Sequence, residues 1–269
     1  MIQMPRNHGR RRIAHARPGP GHKPRRPAPE STASGIWIWG IHAVEAALAN
    51  PDRQANELLA TDNAAARLPA GAPPPRIVTA RDLDEHLPPG AVHQGLALLA
   101  EPLDPLSIED LVDEEVTRIV VLDQVSDPHN LGAIWRSAAA FGFGGLVLQT
   151  RNAPPVTGIV AKSAAGAIET VREARVVNIS RALEQLGEAG YHTVGLAGEG
   201  QSDIAKAVAG ATKLAIVLGA EGAGIRPGVA KACAELARIP IRAEMESLNV
   251  SNAAAIAFYE AARHGIPDA

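Results

Sequence analysis

Three segments of this 269-residue chain gather small polar side chains, glycines and one arginine at spacings that could do chemistry. The first runs Asp123-Gln-Val-Ser-Asp127-Pro128-His129-Asn130-Leu-Gly132-Ala-Ile-Trp-Arg136. Asp-Pro followed by His-Asn is a turn and helix-cap sequence, with Asn130 expected as the N-cap. Arg136 lies about 120° from Asn130 around a helix at 100° per residue, within two turns of the same strand end. The two need not be adjacent on the helix surface, and a capped helix with a surface arginine reads the same. The second segment, Gly219-Ala-Glu221-Gly222-Ala-Gly224, follows an apolar run. Its glycines would let backbone N–H groups approach a ligand, with Glu221 near a helix N-terminus, or simply make a tight turn. The third, Ile239-Pro240-Ile241 leading to Ser247-Leu-Asn249-Val-Ser251-Asn252, offers several hydrogen-bonding groups at a loop-to-helix start. Ser and Asn are also ordinary caps.

Other chemistries lack their residues. The nine histidines are scattered, none paired with a carboxylate or cysteine at metal-ligand spacing, so no metal is expected. There is no G-x-S-x-G elbow, and the one cysteine, Cys233, can form neither an internal disulfide nor a zinc site. His129 is expected to be a structural hydrogen-bonder and Cys233 a core residue. A nicotinamide-binding G-x-G-x-x-G after the first buried strand is excluded, because that strand runs into Asp123-Gln-Val-Ser.

The elements that must position these segments are legible as apolar runs. Arg118–Leu122, Gly145–Leu148, Val194–Ala197, Leu214–Leu218 and Leu236–Ile241 have buried-strand length, alternating with helical segments 130–141, 157–166, 180–189, 225–234 and 250–263. Continuous apolar strands predict a parallel sheet covered on both faces, with ligands at the strands' carboxyl ends. Ahead of it, short strands near 36–40, 57–60, 76–79 and 95–99 alternate with helices 42–49 and 81–87, predicting a small α/β domain. The expected divisions are a basic tail at 1–35, a small domain at 36–100, a proline-spaced acidic linker at 101–115 with a helix capped near Ser107, and a larger domain at 116–269.

Charge is divided along the chain. Residues 1–35 hold eight Lys/Arg and one acid, a net +7, leaving −10 on the remainder. The tail is rich in Pro and Gly with little to bury, so disorder and contact with a polyanion such as RNA are expected; a solubilising extension or transit peptide has similar composition. No apolar run reaches the roughly 20 residues of a membrane span. A soluble cytoplasmic protein is the expectation.

Taken together, the three segments resemble the motifs of the SpoU (TrmH) family of RNA ribose 2'-O-methyltransferases. Asp127-Pro-His-Asn130-Leu-Gly-Ala with Arg136 resembles the first motif, Gly219-Ala-Glu221-Gly-Ala-Gly the second, and Ile239-Pro240 with Ser247-Leu-Asn-Val-Ser251 the third. The likeness covers roughly 116–265. It extends through Trp39-Gly-Ile-His-Ala-Val-Glu-Ala and His93-Gln-Gly-Leu-Ala, similar to the start and end of the family's small RNA-binding domain. Among subfamilies, the small domain points to the branch acting on a guanosine of 23S rRNA. Relatives acting on tRNA or another rRNA nucleoside, and a non-catalytic ribosome-assembly factor, are the alternatives.

The resemblance implies a Rossmann-like parallel sheet with a C-terminal trefoil knot (the SPOUT fold), S-adenosylmethionine as cofactor, RNA as substrate and a homodimer. By motif position Asn130, Arg136, Glu221, Ser247 and Asn249 match the catalytic positions. Gly219, Ile239 and Leu248, with Leu196, Ala197 and Gly198 nearby, match the cofactor positions. Arg136 is the family's activator of the ribose hydroxyl, expected to act as a cation because arginine stays protonated. Two departures stand in the cofactor loop: residues 242–246 lack the usual glycine, and Ile241 replaces a methionine.

Overall fold

Short apolar runs broken by Pro, Gly and Asn dictate short strands, and the chain builds two sheets from them. The structure is a computed structural model and describes residues 35–263 apart from Asn152, Ala243 and Glu246. The basic segment 1–35 lies, but for Gly35, outside the described residues. The first sheet comes from β1 (Ile36–Trp39), α1 (Ile41–Ala49), β2 (Ala55–Ala60), α2 (Asp62–Ala65), β3 (Arg76–Ile77), α3 (Ala80–His86) and β4 (Leu96–Ala100). Its strand order is β1-β4-β2-β3, antiparallel except for β2 with β3.

After α4 (Ile108–Asp113) come β5 (Arg118–Asp123), α5 (Pro128–Ala140), β6 (Gly145–Gln149), α6 (Gly158–Ala164), a 3₁₀ turn (Ala167–Glu169) and β7 (Arg172–Val176). Then follow α7 (Ile179–Glu188), β8 (His192–Leu196), β9 (Ser202–Asp203), α8 (Ile204–Ala207), β10 (Leu214–Gly219), α9 (Pro227–Ala232), β11 (Glu235–Arg238) and α10 (Val250–Ala262). These strands form one parallel sheet in the order β7-β6-β5-β10-β8-β11-β9.

The continuous apolar strands are explained by cover on both faces. In β5, Ile119 and Val121 join a layer with Leu111 of α4, Leu183 of α7 and Val229 of α9. Val120 and Leu122 join the opposite layer with Ile134 and Trp135 of α5 and Phe258 of α10. Fully burying each such side chain contributes about 1.5–3 kcal/mol. That second layer continues into Ile38 and Leu98 of the first sheet and Val44 of α1, so the two sheets share one core.

The helix at the end of the acidic segment is capped as expected: Ser107 accepts from the Asp110 amide and Asp110 from the Ser107 amide. Leu106 pairs with Ala174 of β7, and Ile108 and Leu111 are buried, so this stretch packs onto the large sheet. The strand expected to reach Ile241 stops at Arg238, ahead of Pro240, which has no N–H to donate. The helix expected over 225–234 is shorter, starting at Pro227.

Candidate functional site

Because the strands are parallel, their carboxyl ends line up along one edge. Gly219 of β10 is level with Asp123 of β5, and Ala237 of β11 with Leu196 of β8. Four connections therefore leave side by side: 124–127, 220–226, 197–201 and 239–249.

The 219–224 turn is built for closeness. Gly224 N donates to Ala220 O at 2.9 Å, folding the turn back on itself. A Cβ on Gly219 would lie 2.0 Å from the Gly224 carbonyl carbon, so only glycine fits. Beyond the turn, Arg226 is tied to Asp123: its Nε donates to Oδ1 at 2.8 Å, its Nη2 approaches Oδ1 at 2.6 Å, and its backbone N donates to Oδ2 at 2.9 Å. The Asp123 side chain is 0% exposed. Sequence reasoning missed this pair. The signal was present in an aspartate ending an apolar strand, where a buried carboxylate demands a partner.

Asn130 is not the cap of α5. That role belongs to Asp127, whose Oδ1 accepts from the amides of His129 (2.7 Å) and Asn130 (3.3 Å), with Pro128 in the first turn. An aspartate one residue before a proline outcompetes the later asparagine, which leaves the Asn130 side chain free. Its Nδ2 donates to Glu221 Oε1 at 3.2 Å. Asn249 does cap its helix, its Oδ1 accepting from the amides of Ser251 and Asn252. The Asn249 Nδ2 donates to Asn130 Oδ1 at 3.0 Å and to Glu221 Oε1 at 2.5 Å. Three segments thus close a triangle of side chains. Glu221 was expected near the helix that follows it; the helix ends it meets are those of α5 and α10, whose positive dipole ends favour the carboxylate.

The other two polar candidates stay outside the triangle. Arg136 is exposed on α5 and Ser247 exposed ahead of α10, and neither side chain has a hydrogen bond or ion pair among the described residues. Arg136 therefore presents an uncommitted cation to solvent. His129 keeps a structural contact, Nδ1 to Ser163 Oγ at 3.5 Å. Cys233 is half-buried at the end of α9, and burial, then the nearby Asp123 charge, pushes its thiol up to about 12.

The residues matched to the cofactor sit together on this edge. Leu196, Ala197, Gly219, Ile239 and Leu248 are half-buried and Gly198 is exposed. The amides of Gly198 and Leu248 have no partner among the described residues, and a Cβ at Gly198 would meet nothing within 4 Å. Free backbone donors beside apolar side chains suit an adenosyl group held through the main chain. Among the described residues no group of three or more His, Cys, Asp or Glu could hold a metal ion, and no helix is long and apolar enough to cross a membrane.

Comparison with known proteins bears on the same residues. Residues 117–259 match the SpoU rRNA Methylase family, and residues 37–106 match RNA 2'-O ribose methyltransferase substrate binding. The 23S rRNA (guanosine-2'-O-)-methyltransferase RlmB of Vibrio cholerae is 38% identical over 241 residues, spanning 84% of this chain and 96% of that protein. That of Vibrio vulnificus is 37% identical over 245 residues, spanning 86% and 97%. The AdoMet-bound rRNA methyltransferase from Sinorhizobium meliloti superposes with a TM-score of 0.73 at 24% identity, covering 87% of this chain and 88% of that one. The SpoU methyltransferase AviRb from Streptomyces viridochromogenes gives 0.71 at 22%, covering 86% and 90%. These two structural likenesses establish the fold, a parallel-sheet α/β architecture. With the triangle, the glycine turn and the two matched segments in register, the chain belongs to the SpoU rRNA methylase family.

Proposed function

We propose that the protein transfers a methyl group from S-adenosylmethionine to the 2'-hydroxyl of a guanosine in 23S rRNA. The observation that carries this reading is the Asn130–Glu221–Asn249 triangle at the aligned strand ends, with the free cation of Arg136 on the same helix as Asn130. Relatives at 37–38% identity over most of the chain, named for this reaction, support the nucleoside and the RNA.

Leu196, Ala197, Gly198, Gly219, Ile239 and Leu248 would hold S-adenosylmethionine, whose sulfonium would give up its methyl group to the 2'-oxygen and leave as the neutral thioether. Arg136 holds the phosphate beside the target ribose and stabilises the negative charge that grows on the 2'-oxygen as it attacks. The hydroxyl proton leaves to water, since Arg136 is already protonated. Glu221 takes both amide donors, so it orients Asn130 and Asn249 and joins the loops that carry them. Ser247, uncommitted beside this network, supplies a hydroxyl to the substrate.

The same proposal covers the architecture around the site. Residues 36–100 form the RNA-binding lobe, 101–115 the connection and 116–269 the methyltransferase domain, working in the cytoplasm where ribosomal RNA is found. A trefoil knot belongs to this reading and is supported by the strand order, in which β8 and β9 are joined by residues 197–201 alone while β11 lies between them. That bridge crosses β11 so tightly that a Cβ on Gly200 would sit 2.4 Å from the Ala237 carbonyl carbon. Ile256 and Tyr259, exposed one turn apart on α10, support a homodimer through that helix.

The test is incubation with radiolabelled S-adenosylmethionine and 23S rRNA, 16S rRNA or tRNA lacking their native methylations, beside Arg136→Ala. Label entering 23S rRNA as 2'-O-methylguanosine and lost in the variant is the expected result. Label in tRNA alone moves the substrate, and absence of cofactor binding overturns the reaction.

A further inference from the structure

A buried ion pair joins the two sheets. Arg53, in the turn after α1, forks onto Glu169 of the 3₁₀ turn: Nε to Oε2 at 3.1 Å and Nη2 to Oε1 at 2.8 Å. Asn50 Nδ2 adds a third donor to Glu169 Oε2 at 2.7 Å, and Arg53 Nη1 donates to Glu101 O at 2.8 Å. Both charged side chains are 2% exposed. Desolvating two charges costs most of what their attraction returns, so such a pair contributes little net stability. What it supplies is one geometry: a bidentate fork with its remaining sites satisfied tolerates no sliding.

The other end of the interface is equally tight. A Cβ on Gly158, the first residue of α6, would lie 1.9 Å from the Trp39 ring and 2.1 Å from the Trp37 carbonyl oxygen, so β1 rests directly on α6. Gln94 Oε1 accepts from both Lys162 Nζ (2.8 Å) and Ile41 N (3.2 Å). In turn α6 lies against α5, where a Cβ on Gly132 would be 2.4 Å from Ser163 Cβ. The first lobe thus bears on α6, and α6 on the helix that carries Asn130 and Arg136. Beside the ion pair the lobes part into a cleft of ≈ 1030 Å³, so there the polar clamp, and not apolar packing, spans the gap.

We propose that Arg53 and Glu169 are positioning residues, a clamp that fixes the RNA-binding lobe against α6 and so sets the distance from bound RNA to Arg136. This rests on the reading of residues 36–100 as the RNA-binding lobe. Neither residue touches the reacting atoms. Their effect is on delivery of the ribose, where a displacement of about 1 Å can cost a hundredfold in rate.

Two variants strike opposite ends of the interface, Glu169→Gln and Gly158→Ala, assayed as full chains. The expected result for both is a rise of about tenfold or more in KM for a 23S rRNA fragment, a smaller fall in kcat, methyl groups appearing at neighbouring nucleotides, and S-adenosylmethionine binding within twofold of the parent. Unchanged KM and fidelity, or equal loss of cofactor and RNA binding, would overturn the clamp. A second readout does not depend on the reaction. Spin labels on Val92→Cys and Val177→Cys, both exposed, should give one narrow distance in the parent and a broad distribution with Glu169→Gln. Equal widths would overturn the clamp. A narrow-to-broad change with no RNA methylated by the parent would leave it standing and refute the proposed reaction instead.

Discussion

The side-chain amide of Asn249 lies 2.5 Å from Glu221 Oε1, a bond that ties the N-terminus of α10 to the turn after β10. The same asparagine caps its helix through its oxygen, so its two ends do separate jobs and can be separated by mutation.

Asn249→Ala loses both. The missing cap should cost about 1 kcal/mol of stability, read by urea denaturation. Asn249→Asp keeps a cap oxygen but turns a second carboxylate toward Glu221. Hydrogen bonds to charged groups are worth about 1.5–3 kcal/mol, so methyl transfer should fall by about tenfold or more while the cap is kept. Full activity in Asn249→Asp would remove the triangle from the mechanism.

The tie between Asp123 and Arg226 predicts an asymmetry. Arg226→Ala removes the guanidinium from a carboxylate with no exposed surface, leaving it the residue-226 amide alone, and should destabilise by up to about 3–5 kcal/mol. Asp123→Ala leaves a guanidinium whose side chain is 40% exposed, which can turn to water, so the loss should be smaller. Denaturant unfolding of the two variants decides the order. A larger loss from Asp123→Ala would mean that the carboxylate's bond to the Arg226 amide, and not the ion pair, holds the turn.

Arg136 should act as a cation that positions and stabilises, not as the base. The pH–rate profiles of the parent and Arg136→Lys should have the same shape between about pH 6 and 9, with the lysine variant about tenfold or more slower. An inflection that moves with the substitution would identify residue 136 as a base.

Cys233 is held as a thiol, its ionisation pushed up to about 12 chiefly by burial. The native protein should resist alkylation at pH 8.5 and react once unfolded. The raised value favours the folded state's neutral thiol. Its contribution is complete below the unfolded value near 9 and is lost as pH climbs toward about 12, so Cys233→Ala should show a shallower alkaline loss of stability in that window. Rapid labelling of the native protein would contradict the burial.

Periodicity exposed β5, β6 and β10 because each is a continuous apolar run buried on both faces, and β8 through its apolar end at Val194–Leu196. It missed β7, where Arg172, Glu173 and Arg175 interrupt the pattern. β7 is an edge strand, and its charges are tolerated because Glu173 and Arg175 pair side by side, burial pushing the Glu173 carboxyl up while Arg175 pulls it down. Asn130 stood out in the sequence but was misread as a cap; Asp127, directly before a proline in the first helical turn, carried the stronger capping signal. Asp123 with Arg226 and Arg53 with Glu169 are over a hundred residues apart, and no local pattern announces such a pairing.

The central claim, that the acceptor is a ribose 2'-oxygen, has a direct measurement. Once the labelled guanosine is located, a 23S rRNA fragment carrying 2'-deoxyguanosine at that nucleotide alone is incubated with the protein and radiolabelled S-adenosylmethionine. Incorporation at that nucleotide should fall to background while the fragment still competes for binding. Undiminished label on the deoxy substrate would place the methyl group on the base and contradict the account.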